Sequence, residues 1–312
     1  MQQRLFTGLP KKIKIVEVGP RDGLQNESAM VSVEDKIKFI TLLAQAGLQT
    51  IEVASFVHPD RVPQMGNSGQ VVSALKNLPA FKGVELISLV PNLKGLEYSI
   101  AAGSRYVAFF TSNSETFNRK NINATIEESL HRIEMAAKMA RDHSLRIRGY
   151  ISTAFGCPYE GETSIDALKR VAEKLLSLGA EEICIADTAG LANPNQVQQL
   201  LENLKKSFDL NQLAIHLHDT AGLALPNAMV ALQEGITAFD TSAAGLGGCP
   251  FAKGASGNLA TEDLLNLANK LGIDTGVETK KLLEASTFIL DKLGNQQANS
   301  KFFNACRARS NG

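Results

Sequence analysis

His216 and His218 sit one residue apart in the run Ala-Ile-His-Leu-His-Asp-Thr, the spacing in this chain that most directly suggests chemistry. Residues i and i+2 of a β-strand project to the same face, so the run presents two imidazoles side by side. Asp22 in Val-Glu-Val-Gly-Pro-Arg-Asp-Gly and Asn258 in Gly-Asn-Leu-Ala-Thr-Glu-Asp add two oxygen donors. Two nitrogens and two oxygens without a thiolate suit an octahedral, partly hydrated Mg²⁺ or Mn²⁺, and the imidazoles tilt the choice toward Mn²⁺. Zinc stays open, although four protein ligands would close a tetrahedral site and leave little room for substrate. For any isolated His-X-His, a hydrogen-bonded core pair is the competing explanation, so placement must decide.

Other reactive residues are scattered along the chain. Arg21, beside Asp22, offers a guanidinium to an anionic oxygen that develops during a reaction. Glu52 and Asp187 lie in strand-like runs and are candidates for proton handling or for positioning Arg21 and a metal-bound water. The segment from Gly245 to Asn258 is rich in glycine around Cys249, which reads as a lid that closes over substrate and delivers a thiol. Its twin, Gly-Cys-Pro-Tyr at 156–159, contains Cys157, and spacing alone leaves open which thiol takes part. His58, His131 and His143 show no comparable grouping.

These residues need a scaffold that brings them together. Eight short runs rich in β-branched or aromatic residues, near 13–18, 51–54, 84–90, 106–111, 146–152, 183–187, 213–218 and 237–242, alternate with amphipathic segments. Eight βα units predict an α/β fold, a (β/α)8 TIM barrel. The spacing predicts helices over 33–46, 168–178 and 228–234, each ending at a glycine (Gly47, Gly179, Gly235), and one opening at Asn193-Pro194. An eighth helix is expected over 258–271 and an additional C-terminal one over 278–293, with the last fifteen or so residues poorly ordered. The whole of 1–312 reads as one domain, with about 274–312 as a C-terminal extension. In such a barrel active sites lie at the C-terminal ends of the strands. Arg21, Asp22, Glu52, Asp187, His216, His218 and Asn258 all fall within or just after strand-like runs, and that shared rim favours the metal reading.

Composition narrows the partners. Lys plus Arg and Asp plus Glu both number 32, so no net field recruits nucleic acid or an anionic membrane, and no apolar stretch approaches a membrane helix. Four cysteines without CxxC spacing suggest free thiols in a reducing compartment. An N-terminus that reaches a strand-like run within about a dozen residues leaves little room for a targeting peptide, so a cytoplasmic protein is expected. A homodimer is compatible with the sequence.

Several of these segments together resemble the hydroxymethylglutaryl-CoA lyases: Val-Glu-Val-Gly-Pro-Arg-Asp-Gly-Leu-Gln-Asn-Glu (16–27), Val-Pro-Gln-Met-Gly (62–66), Pro-Asn-Leu-Lys-Gly (91–95), Gly-Cys-Pro-Tyr-Glu-Gly (156–161), His-Leu-His-Asp-Thr (216–220) and the long run 244–263. The Arg-Asp and His-X-His elements identify a wider superfamily that includes condensing enzymes and aldolases. The Gly-Cys-Pro loop leading to Gly-Asn-Leu-Ala-Thr-Glu-Asp is far more specific to the lyases. The resemblance implies divalent-metal-dependent retro-Claisen cleavage of 3-hydroxy-3-methylglutaryl-CoA, an acyl-CoA, to acetoacetate and acetyl-CoA, as in leucine breakdown or ketone-body formation. It further implies that Asp22, His216, His218 and Asn258 hold the cation, that Arg21 contacts the thioester carbonyl, that Cys249 is the catalytic thiol, and that Asp187 and Glu52 act near the metal and in proton handling. Ala221 after His-Asp-Thr, and Asp187-Thr-Ala in place of Asp-Thr-Ile, depart modestly from the family pattern. Lys94 and Lys253 are exposed lysines that could meet the CoA moiety.

Overall fold

The structure, a computed structural model, describes residues 7–248, 257–295 and 297–310. Its eight strands are β1 (Lys14–Glu17), β2 (Thr50–Ser55), β3 (Glu85–Leu89), β4 (Tyr106–Ser112), β5 (Arg146–Ser152), β6 (Ala180–Asp187), β7 (Leu213–Leu217) and β8 (Ala238–Thr241). They run parallel in sequence order and close where β1 pairs with β8, Val16 opposite Asp240. The architecture is the expected (β/α)8 barrel, and every expected strand is present with ends displaced by three residues at most. The runs read as strands because both of their faces are covered. Every residue of β2 is buried, so apolar and β-branched residues are wanted on the outer face, under helices, as well as inside.

The helix signals also carry over. Ser32 caps Val33–Gln45 by accepting from the Asp35 amide. Asn193 and Gln196 form a reciprocal capping box at the start of Pro194–Leu204, with Pro194 in the first turn, where a missing N–H costs nothing. Thr261–Leu271 and Thr279–Leu293 are the expected late helices, and the second lies across Val33–Gln45.

One expectation fails. The C-terminal stretch is not loose but contains a helix, Lys301–Ser310. Its start is held from a distance: the Asp263 carboxylate accepts from the Ser300 hydroxyl (2.8 Å) and from the amides of Lys301 (3.1 Å) and Phe302 (2.7 Å), while Phe303 is buried beneath it. Ser300 caps the helix locally by accepting from the Phe303 amide (3.0 Å), and the part of the cap supplied by Asp263 from another helix leaves no local signature.

Two cores result. The larger lies between strands and helices. The smaller fills the barrel with Val16, Val18, Ile87, Leu89, Tyr106, Ala108, Tyr150, Cys184, Ala214 and Ala238. Charged side chains join this inner core: Glu52, Arg148, Glu182 and Asp240 are all buried, in a layer that most barrels fill with branched aliphatics.

Candidate metal centre and active site

The chain leaves β1 through a single π-type turn, Gly19–Gly23, closed by the Leu24 amide on the Gly19 carbonyl (3.0 Å) and the Gly23 amide on the Val18 carbonyl (3.1 Å). Such turns recur at functional sites because the wide loop aims side chains that an α-turn could not. Here it delivers Arg21 and Asp22, both buried, to the C-terminal mouth of the barrel. Arg21 is gripped on two sides. Its Nε and Nη2 reach Glu52 Oε2 at 2.6 and 2.5 Å, and its Nη1 reaches Asp22 Oδ1 at 2.5 Å.

Across the mouth, Nε2 of His216 and Nε2 of His218 face each other at 3.1 Å, and Asp22 Oδ2 stands 4.0 Å from His216 Nε2. One ligand atom from each of Asp22, His216 and His218 falls within a sphere where all lie no more than 4.8 Å apart. Asn258 comes in on a one-residue antiparallel bridge to His218. Its Nδ2 donates to Asp22 Oδ2 (2.9 Å) and to the Leu246 carbonyl (3.0 Å). Gly247 passes so close, at φ 111°, that a Cβ there would lie 2.6 Å from Asn258 Nδ2. Residues from the first, seventh and eighth units thus lie together at one mouth.

The donor set fits a divalent cation. Asn258 Oδ1 is buried with no hydrogen-bond partner among the described residues, next to a carboxylate and two facing ring nitrogens. An unsatisfied buried oxygen is costly, and a cation would satisfy it. For Asp22 and His218 the electrostatics agree with ligand chemistry. Burial opposes ionisation of Asp22, but the Arg21 charge, the two imidazoles and the Asn258 bond hold its carboxyl down at about 2. Burial, then the neighbouring His216, pushes His218 down to about 3, so it stays neutral with a lone pair to give. For His216 burial favours the neutral ring, yet the bond to Asp240 and the charge of Asp22 outweigh it and raise the pKa.

The remaining expected residues separate. Glu52 touches Arg21 from behind. Asp187 does not line the cavity that opens over Asp22, His216 and His218: its two oxygens accept from the Leu191 (2.9 Å) and Ala192 (3.0 Å) amides, folding back the loop after β6. Burial nevertheless lifts its carboxyl to about 6. Cys249 and Lys253 lie outside the described residues. The Cys157 thiol is buried and accepts from the Ser114 hydroxyl (3.0 Å), a packing role. Lys94 lies over the Tyr98 ring and away from the cavity lining.

That cavity, about 870 Å³, has Arg21, Asp22, Tyr150, His216 and His218 at its base. Arg61, Lys120 and Arg132 stand around its wall, cations that sequence spacing gave no reason to select. Gln25, whose Nε2 donates to Asp22 Oδ1 (3.0 Å), was also missed, though it lies three residues on from Asp22 in the turn after β1.

The HMGL-like family matches residues 12–289. Hydroxymethylglutaryl-CoA lyase, mitochondrial, of Pongo abelii is 50% identical over 293 residues, covering 94% of this chain and 89% of that protein. The crystal structure of hydroxymethylglutaryl-CoA lyase from Pseudomonas aeruginosa superposes with a TM-score of 0.92 at 44% identity, covering 96% of this chain and 99% of the other. An HMG-CoA lyase from Acinetobacter baumannii in complex with coenzyme A and 3-methylmalate gives a TM-score of 0.90 at 34% identity, over 96% of each chain. With its barrel and these relatives in agreement, the chain belongs to the HMGL-like family and is a carbon–carbon lyase of the hydroxymethylglutaryl-CoA lyase kind.

Proposed function

We propose that this barrel cleaves 3-hydroxy-3-methylglutaryl-CoA to acetoacetate and acetyl-CoA at the cation site formed by Asp22, His216, His218 and Asn258, with Mg²⁺ or Mn²⁺ as the ion. The observation that carries the reading is the convergence of three ligand atoms within 4.8 Å of one another beside a clamped Arg21, at the base of a cavity with a cationic wall. A divalent cation at such a site supplies Lewis acidity that lowers the pKa of a bound hydroxyl.

The protein's own groups do the rest. Transfer of the tertiary 3-hydroxyl proton to a water in the cavity lets the C2–C3 bond break: C3 becomes the ketone of acetoacetate, and the electron pair passes to C2 and the thioester oxygen as an enolate. Arg21, preorganised by Glu52, faces that oxygen, and a donor of this kind is worth about 10²- to 10³-fold in rate. Cys249 gives its thiol proton to C2, completing acetyl-CoA, and the thiolate left behind is reprotonated from the water that took the hydroxyl proton. Asp187 acts by holding the β6 loop. Arg61, Lys120 and Arg132 suit the CoA phosphates. Cys157 and Cys184 are buried free thiols, which supports a reducing setting. Among the described residues no helix is long and apolar enough to cross a membrane.

The test is direct. Purified protein given the substrate and Mg²⁺ should form acetoacetate, lose activity on chelation and regain it on readdition of the ion. Asp22→Ala or His216→Ala should not be rescued, and full turnover in either variant would refute the site.

A further inference from the structure

The inner barrel contains a line of charge that the reaction does not use directly. Lys14, at the floor, bonds to Glu182 Oε2. Glu182 Oε1 accepts from Arg148 Nε (2.8 Å). Arg148, with no exposed surface, then forks onto Asp240, Nη2 to Oδ1 at 2.7 Å and Nη1 to Oδ2 at 3.1 Å. Asp240 Oδ2 lies 3.4 Å from Nδ1 of His216, the residue opposite it in the β7–β8 register. The series Lys14, Glu182, Arg148, Asp240 alternates in sign from the floor to the back of a proposed metal ligand.

A column of buried ions is a poor stabiliser, because desolvation offsets most of the Coulomb gain and apolar residues of similar volume would serve as well. Its geometry suggests another use. A ring nitrogen can ligate a cation only when the other nitrogen carries the proton, and a carboxylate behind the ring enforces that tautomer and its orientation. His216 has such a carboxylate. His218 does not: its Nδ1 is buried with no partner among the described residues. The bidentate Arg148 fork fixes the Asp240 plane, and with it the direction in which Oδ2 presents to the ring.

We propose that Asp240, locked by Arg148, is a positioning residue that holds His216 as the Nδ1–H tautomer with Nε2 turned to the cation. The inference rests on the metal site proposed above and names the group that organises it.

Two measurements test it. In the metal-free wild-type protein at mildly alkaline pH, ¹⁵N spectra of the imidazoles, assigned by single histidine substitutions, should show His216 protonated on Nδ1 and bare on Nε2; the opposite tautomer overturns the proposal. This readout does not depend on any variant folding. Mn²⁺ titration followed by electron paramagnetic resonance should then show Asp240→Asn binding about 10- to 100-fold more weakly than wild type, with circular dichroism reporting an intact fold. Wild-type affinity in Asp240→Asn, whatever its melting temperature, would assign Asp240 a structural role only and overturn the inference while leaving the metal site standing. Absence of Mn²⁺ binding by the wild-type protein would overturn both.

Discussion

Glu52 holds Arg21 through one oxygen, Oε2, which lies 2.6 Å from Nε and 2.5 Å from Nη2. A guanidinium gripped along one edge leaves its remaining N–H groups directed along the mouth, one of them on Asp22. Glu52 itself is fully buried behind Arg21 and touches nothing in the cavity, so its effect on turnover passes through the arginine. Glu52→Gln should therefore lower kcat by about 10- to 100-fold, somewhat less than loss of the donor itself, with little change in KM. Arg21→Lys should cost about as much as removal of the donor, since a point charge cannot replace the planar fork. Steady-state kinetics with kcat and KM resolved separately checks both, and a kcat for Glu52→Gln within twofold of wild type would remove Glu52 from the mechanism.

The two Gly-Cys-Pro peptides should behave oppositely. Cys157 accepts from the Ser114 hydroxyl at 3.0 Å and from the Tyr159 amide at 3.4 Å, and it is buried and does not line the cavity. Cys157→Ser is expected to retain turnover within about threefold while lowering stability by roughly 1 kcal/mol. Cys249→Ser should lose about 10²- to 10⁴-fold, the usual weight of a general acid. The pair of rate constants measures this directly, and a larger loss at Cys157 would reassign the thiol.

How much of this was legible in the sequence depends on the range of the interaction. Strand runs, the helix start at Asn193-Pro194 and the same-face placement of His216 and His218 are local, and the structure reproduces them. The barrel rule then placed Arg21, Asp22 and Asn258 on one rim, because parallel strands carry their C-terminal ends to one side. Arg148, Glu182 and Asp240 were visible only as charges inside short strands, a pattern that says "edge or surface" until register turns all three inward. The helix at 301 had one local signal, Ser300, which accepts from the Phe303 amide (3.0 Å) as an N-cap, but a lone serine says little until Asp263 from another element joins it.

That cap can be removed. Asp263 satisfies two amides and a hydroxyl at the start of Lys301–Ser310, and alanine at a capping position costs about 0.5–2 kcal/mol. Asp263→Ala should lower the melting temperature by about 2–4 °C and expose the C-terminal helix to limited proteolysis well before the barrel is cut. A variant cleaved no faster than wild type would show that the Ser300 cap and the packing of Phe303 suffice to hold the helix.

Two buried carboxylates should shape the pH dependence of stability. Glu17 accepts from the Gly19 and Ala243 amides (2.8 Å each) and the Thr261 hydroxyl (2.7 Å), and Glu262 accepts from the Ala244 amide and the Ser286 hydroxyl. Burial outweighs these bonds and raises each to about 7, above the ordinary value of 4.5. Between those limits the folded protein keeps protons that the unfolded chain has released. The stabilisation is therefore full below about pH 4.5 and is lost as pH rises through about 7, by up to about 3 kcal/mol for each group. Glu262→Gln keeps an acceptor oxygen for Ala244 and removes the titration. Urea unfolding at about pH 5 and about pH 8 should show wild type losing more stability than the variant across that interval, by about 2–3 kcal/mol. Parallel losses in the two proteins would mean that Glu262 titrates alike in the folded and unfolded states, and that its burial is compensated in full by the amide and hydroxyl it accepts from.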